Sequence, residues 1–378
     1  MSTTEKVPLK TLALVFAKLG IMAFGGPAAH IAMLEQEVVE KRQWLTKAHF
    51  LDLMGATNLI PGPNSTEMTM HCGYEKGGWA GLFVAGACFI VPAVVLTGLL
   101  AWFYTSYGHL PALAPCMQGI KAAVLAIILG AIYRLGKKAV KNYTLAVFGL
   151  LALVSSWCGL NEVWALLITA VLGTLFFMAK AHRSNRLQVS AVPLLSFSML
   201  GAGVVQVSNL KVFLVFLKVG AILYGSGYVL FAYLDAELVQ TGWLSREELV
   251  TAIAIGQFTP GPVLSTATFV GYQLHGFGGA VAATVGIFLP SFLLVLLLNP
   301  LVAKMRQSRV LSYFLDVVNV AAVAIMLSVL VRMGQSVLVD IPSLLIAIAS
   351  IGIHFVFPRI SAVYIIVGGA LVGFLVYY

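Results

Sequence analysis

Long apolar runs follow one another along almost the whole chain, and short polar stretches separate them. Six runs lie in the first half, near residues 11–33, 49–70, 79–104, 117–134, 143–158 and 161–179. Six more lie in the second half, near residues 211–233, 248–270, 278–300, 313–332, 337–356 and 360–378. A helix of about 20 apolar residues crosses a hydrocarbon core of roughly 30 Å. Because the runs are continuous rather than alternating, they predict membrane helices and not the strands of a barrel.

The composition strengthens this prediction. Of 378 residues, 60% are hydrophobic and only 10% are charged, whereas soluble domains carry roughly 25% charged residues. Such a chain cannot cover a water-facing surface with polar groups. We therefore expect an all-α integral membrane protein, a polytopic helical bundle of about 12–13 segments in the lipid bilayer.

One sequence pattern occurs twice, about 200 residues apart. Chance similarity between apolar segments would not keep Lys, Pro-Gly-Pro and Arg in register, so we infer a duplication. The predicted organisation is a first repeat over residues 1–188, a linking apolar segment over 189–210 and a second repeat over 211–378. The corresponding residues include Lys18 and Lys218, Gly25 and Gly225, Pro61-Gly62-Pro63 and Pro260-Gly261-Pro262, and Arg134 and Arg332.

Loop charges indicate how the repeats are oriented. The net charge of +9 comes largely from basic residues in short loops between runs, which is typical of membrane topology and not of a nucleic-acid-binding surface, so we expect no nucleic-acid partner. The basic loop follows the fourth run in the first repeat but the third run in the second repeat. The repeats are therefore predicted to be inverted, with residues 189–207 as an extra span, about thirteen spans in all and a cytoplasmic N-terminus. A re-entrant hairpin at 49–70 or 248–270 is the open alternative.

The strongest local signal is a Pro-Gly-Pro followed by hydroxyl side chains in both repeats. Proline removes a helix donor and glycine removes side-chain restraint, so each motif should break a helix inside the membrane. Broken backbone at that depth is tolerated only where it is buried in protein or lines a cavity. The restarted helix presents free N–H groups that attract anions, although a pair of structural kinks is the alternative. The predicted substrate-binding residues are Asn58, Pro61, Gly62, Pro63, Asn64, Ser65 and Thr66 in the first repeat, and Pro260, Gly261, Pro262, Ser265, Thr266 and Thr268 in the second.

Lys18 and Lys218 lie inside apolar runs. A lysine at the centre of a span costs about 2.5–3.5 kcal/mol. Gly25 and Gly225 follow them by seven residues, about two helical turns, and so share the lysine's face. The alternatives to an anion contact are charge compensation and snorkelling to the interface. The residues that join the predicted anion site on this basis are Lys18, Gly25, Gly26, Lys218 and Gly225.

Several other charged residues have predicted roles. Glu67 follows the first Pro-Gly-Pro, and Thr266 is its counterpart. A buried carboxylate beside an anion site can carry a coupling proton, and pairing with an intramembrane lysine or arginine is the equal alternative. Arg134 and Arg332 lie at span ends and are interpreted as interfacial anchors. Loop charges such as Asp235 are interpreted as a solvated helix face.

No motif indicates catalysis, nucleotide binding or a metal. The sequence has no H-E-x-x-H, Walker loop, G-x-S-x-G or C-x-x-C, and its seven histidines show no metal-ligand spacing. We therefore expect no cofactor, no metal site and no enzyme activity. Inverted repeats are typical of secondary transporters, so transport is the predicted function.

Three first-repeat motifs, FGGPAAHI from Phe24, NLIPGPNSTEM from Asn58 and GYEKGGWAG from Gly73, resemble the chromate ion transporter family in its long two-domain form. The second-repeat motifs FTPGP and VGYQLHG resemble it too, so the resemblance covers nearly the whole chain. It implies a multi-pass protein of the bacterial cytoplasmic (inner) membrane that exports chromate, confers chromate resistance and is linked to the proton-motive force. The family's motif residues fall here at Gly25, Gly26, Pro27, His30, Asn58, Pro61, Gly62, Pro63, Asn64, Thr66, Glu67, Gly73 and Tyr74.

The resulting hypothesis is a secondary active transporter that exports chromate, a divalent tetrahedral oxyanion, by alternating access. A transporter or channel for another small anion such as sulfate is the alternative, and a homodimer is left open. Because Val263 and Thr266 replace the Asn and Glu of the first-repeat motif, we do not expect the two repeats to contribute equally to binding.

Overall fold

The computed structural model describes residues 6–24, 26–108, 110, 113–182, 208–224, 227–298, 308–358 and 360–378. The predictions for Gly25, Gly225 and residues 189–207 lie outside these described residues. Most of the described chain is helical, which confirms the predicted all-α class. The first half contains α1 (Leu9–Met22), α2 (Pro27–Glu35), α3 (Lys47–Thr57), α4 (Asn64–Tyr107), α5 (Ala114–Ala139), α6 (Tyr143–Trp157) and α7 (Glu162–His182). The second half contains α8 (Asn209–Ile222), α9 (Leu230–Leu234), α10 (Arg246–Phe258), α11 (Thr266–Leu298), α12 (Arg309–Val337), α13 (Ile341–Val356) and α14 (Ala362–Tyr377).

Five of the described helices are long and apolar enough to cross a membrane, and three shorter apolar helices accompany them. The chain is therefore a multi-pass membrane protein. The five long stretches are Asn64–Tyr107, Ala114–Ala139, Glu162–Ala181, Val263–Leu297 and Arg309–Val337.

Helix α4 folds back on itself. A Cβ on Gly73 or on Gly81 would collide with the carbonyl oxygen of the other residue, although eight residues of straight helix would hold them about 12 Å apart. The chain reverses at Gly78, where φ is 60°, a value that glycine adopts without strain. Helix α4 therefore has a short arm (64–77) and an antiparallel long arm (79–107).

The first Pro-Gly-Pro lies at the tip of a re-entrant hairpin. At the tip, Asn64 Nδ2 donates to Asn58 Oδ1 at 2.7 Å. At the other end, His49 Nε2 lies 3.3 Å from Glu75 Oε2. Helix α3 and the short arm of α4 are thus antiparallel and begin and end at the same face of the bundle. The structure favours the re-entrant alternative for run 49–70.

Helices α1 and α2 form a second hairpin beside it. His30 Nε2 lies 3.0 Å from the Ala23 carbonyl oxygen near the turn, and the Phe16 and Trp44 rings lie 6.4 Å apart further down. The prediction that run 11–33 is one continuous crossing is therefore wrong. The physical reason is the Gly26-Pro27 step, because φ at Gly26 is 81° and the proline starts a new helix.

The second repeat has the same two hairpins. Tyr233 donates to the Ile222 carbonyl at 2.9 Å, and Lys218 Nζ lies 2.6 Å from Glu237 Oε1, so α8 and the segment from α9 onward are antiparallel. Helix α11 reverses at Gly276, where φ is 59°. It therefore also has a short arm (266–275) and a long arm (277–298).

The two repeats are inverted, as the loop charges predict. Phe83 on the long arm of α4 stacks on Phe292 at 5.5 Å. Further along that arm, Gly98 faces Thr268, which hydrogen-bonds Thr284 at 2.8 Å. Residues 83 to 98 on the long arm of α4 thus run in the opposite direction to residues 284 to 292 on the long arm of α11. The first-repeat hairpins enter from one end of the bundle, the first face, and the second-repeat hairpins enter from the opposite end, the second face. The repeat boundaries themselves stay a prediction.

The remaining helices are exchanged between the repeats. Helix α5 packs against α13 and α14, while α12 packs against α6 and α7. The contacts are close: a Cβ on Gly119 would collide with the Gly369 carbonyl oxygen, and one on Gly173 would overlap Val317. Each repeat therefore contributes one long helix to the core of the other repeat.

The two faces differ in how tightly they are closed. All five residues of α9 are buried, and α10 packs against α5, α12 and α14. By contrast, α2 and α3 pack chiefly against α4, and Lys47, Asp52 and Asn58 are exposed at the start, middle and end of the α3 arm. Charged groups avoid lipid, so this side faces water. We call the first face open and the second face closed in this sense: α2 and α3 are more exposed than the corresponding α9 and α10, while both Pro-Gly-Pro turns are buried.

Candidate functional site

The two Pro-Gly-Pro turns meet the opposite repeat in the middle of the bundle. The Gly62 N–H donates to the Leu223 carbonyl at 2.7 Å, and the Gly261 N–H donates to the Ala23 carbonyl at 2.8 Å. Each turn is thereby bonded to the tip of the other repeat's first hairpin. These reciprocal bonds bring four broken helix ends together, and they satisfy backbone groups that would otherwise be buried without a partner.

Glu67 is the central polar group of the first turn. Its side chain is 0% exposed, and a Cβ on Gly62 would collide with Glu67 Oε1 and with Ser291 Oγ. The bare glycine thus makes room for a carboxyl and a hydroxyl supplied by different repeats. Tyr224 is close enough to interact electrostatically with Glu67. Among the described residues, no lysine or arginine lies within ion-pair distance of this carboxylate, so the structure does not support the alternative of a basic partner.

Further donors surround this turn. His30 Nδ1 lies 3.3 Å from Ser65 Oγ. The Asn64 amide donates to Asn58, as described above, and Asn58 in turn donates to a backbone carbonyl at 3.0 Å. Thr66 Oγ1 is buried and has no hydrogen-bond partner in the described part of the chain. Backbone bonding to Pro63 starts only at the Thr66 N–H, so the N–H groups of Asn64 and Ser65 make no backbone hydrogen bond among the described residues, as is usual for the first turn of a helix.

The second turn is less polar. Gly261, with φ of 95°, faces Ala93, whose Cβ would lie 2.6 Å from an added Cβ. Nearby, Thr97 Oγ1 reaches Thr259 Oγ1 at 3.4 Å and Ser265 Oγ at 3.3 Å. These hydroxyl groups bind one another, and no carboxylate takes part in the hydrogen bonds described for this turn. Val263 and Thr266 suggest that the two turns differ in polar side chains. The side chains that surround the turns differ in the same way.

Some predicted site residues lie away from the turns. Thr268 bonds the hydroxyl of Thr284 on the long arm of α11. The Lys218 ammonium pairs with Glu237, and Lys18 acts electrostatically on the corresponding Glu37. Both lysines are exposed. The structure thus does not bring them to the Pro-Gly-Pro turns, and it favours the alternative of charge compensation.

Two interpretations of charged residues are wrong. Arg332 is not a simple interfacial anchor, because its Nη1 contacts Glu162 Oε1 at 2.5 Å and Asp235 Oδ2 at 3.5 Å. Asp235 is 0% exposed rather than solvated, and Arg246 Nε holds its other oxygen at 3.2 Å. The reason is tertiary: the second-repeat hairpin is packed against α7 and α12, which no local pattern reveals.

Sequence reasoning missed Ser291 and Thr97. Both occupy positions where the other repeat has an apolar residue, Ala93 for Ser291 and Val295 for Thr97. A polar residue buried in a membrane helix is costly unless it has a role. Comparing the repeats position by position for such exchanges is the signal that could have found them.

A protein-family comparison assigns the chain. The family described as Chromate transporter matches it twice, over residues 10–174 and 210–374. This chain belongs to the chromate transporter family.

Individual relatives agree with this family assignment. The chain is 30% identical over 382 residues to the chromate transport protein of Cupriavidus metallidurans, covering 99% of this chain and 95% of that one. It is also 30% identical over 400 residues to the chromate transport protein of Pseudomonas aeruginosa, covering 100% and 95%. A probable chromate transport protein of Synechococcus elongatus is 30% identical over 358 residues, covering 91% and 89%. No solved structure gives a significant match.

Proposed function

We propose that this chain is a secondary transporter that exports chromate, a divalent tetrahedral oxyanion, from the bacterial cytoplasm by alternating access. Membership of the chromate transporter family supports the substrate. The observation that carries the mechanism is the unequal packing of two inverted repeats, because α9 and α10 of the second repeat are largely buried while α2 and α3 of the first repeat are more exposed. Exchanging these two environments opens the opposite face.

The first Pro-Gly-Pro turn is the proposed anion site. It combines free helix N–H groups with the side chains of Asn64, Ser65 and Thr66 in the middle of the bundle, and the partly exposed Asn64 and the exposed Asn58 connect it to the first face. Neutral donors of this kind hold an oxyanion by hydrogen bonds without a strong fixed charge, which allows release on the other side.

Glu67 is the proposed coupling group. A buried carboxylate without a basic partner is costly when ionised, and its negative charge would repel a dianion at the same turn. A proton on Glu67 removes this repulsion, so proton and anion occupancy are linked. A dianion that leaves together with one proton carries a net charge of −1, so the inside-negative membrane potential, the electrical part of the proton-motive force, drives its efflux.

The basic loops support a cytoplasmic location for the first face. The last turn of α5 contains Lys137 and Lys138, and the loop after it contains Lys141 near this face; basic residues that flank spans stay in the cytoplasm. The open side of the structure is then the side from which an exporter takes up its substrate.

Uptake of labelled chromate into everted membrane vesicles tests the function. We expect saturable uptake that a proton uncoupler abolishes. Uptake that persists with the uncoupler would contradict proton coupling. Transport of sulfate with no transport of chromate would assign the chain to the alternative substrate.

Substitution at the turn tests the site. Asn64→Ala should reduce chromate uptake at equal protein level, and Val263→Ala, a truncation to alanine at the corresponding position of the second repeat, is the control. Glu67→Gln should make the remaining uptake insensitive to a pH difference across the membrane, because the side chain can no longer bind and release a proton. Unchanged uptake in Asn64→Ala would remove this turn from the proposed site.

A further inference from the structure

Arg134 and Arg332 are corresponding residues whose surroundings differ. At the closed second face, Arg332 is fully engaged. Besides its two carboxylate contacts, its Nη2 donates to the Ser156 carbonyl and hydroxyl, both at 3.0 Å, and lies 3.3 Å from Ser328 Oγ. Its two acidic partners are almost completely buried. This arginine has little capacity left to bind a ligand.

At the open first face, the corresponding Arg134 has neutral partners. Its Nη1 lies 3.0 Å from His354 Nε2. His354 occupies the position in the second repeat that corresponds to Ser156 in the first. A guanidinium only donates, so His354 accepts here as a neutral imidazole. Its second partner is the hydroxyl of Tyr228. Among the described residues, no carboxylate lies within ion-pair distance of Arg134, and its side chain is exposed.

Arg134 is also connected to the middle of the bundle. The Tyr228 hydroxyl lies 2.7 Å from the position that a Cβ on Gly26 would take, at the tip of the first hairpin. A cation that carries no compensating carboxylate therefore stands between the open face and the Pro-Gly-Pro turns. Lipid would not accommodate it, and the planar guanidinium offers paired donors that match the edge of an oxyanion.

We propose that Arg134 binds the incoming oxyanion at the open face, and that Glu35 replaces the anion on Arg134 when this face closes. Glu35 corresponds to Asp235, which contacts Arg332 at the closed face. In the open state Glu35 instead lies 3.2 Å from Lys47. Closure thus exchanges a ligand contact for an internal ion pair, which releases the anion toward the turns. This inference rests on the proposed transport of an oxyanion.

Equilibrium binding to the purified, detergent-solubilised protein tests this role, with labelled chromate, sulfate and molybdate as probes. Arg134→Gln should weaken binding about tenfold or more, because a hydrogen bond to a charged group is lost. Lys137→Gln is the matched control: it removes one positive charge from the same helix, where Lys137 lies over the Tyr133 ring, and it should change binding less than twofold.

The outcomes separate the two proposals. Wild-type protein that binds none of the three anions would overturn the proposed function together with this inference. Wild-type binding that Arg134→Gln weakens no more than Lys137→Gln does would overturn this inference alone. If Arg134→Gln does not fold, Arg134→Lys decides, since it keeps the charge but loses the paired donors: weakened binding supports the role, and unchanged binding refutes it.

The exchange with Glu35 has its own readout. Glu35→Gln leaves the open-state contacts of Arg134 intact, so the dissociation constant should not change. The rate of transport in vesicles should fall severalfold, because the closed first face loses its ion pair. An unchanged transport rate would refute the exchange.

Discussion

Replacing Gly261 by alanine should destabilise the protein through two separate effects. The residue has φ of 95°, and holding a residue with a Cβ in that region costs about 1–3 kcal/mol. The added Cβ would also lie 2.6 Å from the Ala93 Cβ, and such overpacking costs about 1–3 kcal/mol more. The free energy of unfolding should therefore fall by roughly 2–6 kcal/mol.

Two other glycines separate these effects. Gly276 has φ of 59° but open space around it, so Gly276→Ala should show the backbone cost alone. Gly352 lies in α13 with no atom within 4 Å of an added Cβ and no positive φ, so Gly352→Ala should be neutral or stabilising by up to about 1 kcal/mol. The double variant Gly261→Ala with Ala93→Gly should recover the overlap part in a mutant cycle.

Unfolding in mixed detergent micelles, followed by tryptophan fluorescence, measures these differences. The expected order of stability is Gly352→Ala, then Gly276→Ala, then Gly261→Ala. If Gly261→Ala is no less stable than Gly276→Ala, the close approach of the second turn to α4 does not exist as described.

Three further changes test other contacts. Arg332→Gln should lower the free energy of unfolding by about 3–5 kcal/mol because it removes the cationic partner of the buried Glu162 and one of the two cationic partners of Asp235, and adding Glu162→Gln should restore part of that loss in the same unfolding assay. Thr97→Val should cost about 1 kcal/mol, as it removes the hydroxyl that reaches two others beside the second turn; no loss would mean that this contact does not form. The hydrogen bond from Arg42 lowers the pKa of Glu37 below its ordinary value of 4.5, so its stabilisation is present above that pH and is lost as the pH falls through the folded-state pKa. Arg42→Gln should therefore flatten the dependence of Tm on pH in the acid range, and an unchanged profile would contradict this pairing.

Backbone chemistry explains why part of the site could be predicted. Pro-Gly-Pro breaks a helix wherever it occurs, because two donors are missing and the glycine accepts any φ. The restart of a helix at Asn64 and the left-handed glycine before it are therefore properties of the local sequence. The duplication was equally visible, since it needs only the comparison of one half of the chain with the other.

Re-entry of the hairpins could not be read from hydropathy. A run of about 20 apolar residues has the same composition whether it crosses the bilayer or folds back in its middle. The turn at Gly26 depends on a hydrogen-bond partner for the backbone groups that leave the helix there. The Ala23 carbonyl accepts this hydrogen bond from the Gly261 N–H of the other repeat.

Hydrophobic length, loop charge and proline act locally, so the sequence predicts an all-α membrane protein, two inverted repeats and two helix breaks. Tertiary packing sets the contact between Ser291 and Glu67, the burial of Arg332 among carboxylates while Arg134 has none, and the greater exposure of one face. These features arise from the exchange of helices between repeats and from their unequal packing. The hydrophobic pattern does not reveal them, since both repeats carry nearly the same hydrophobic pattern.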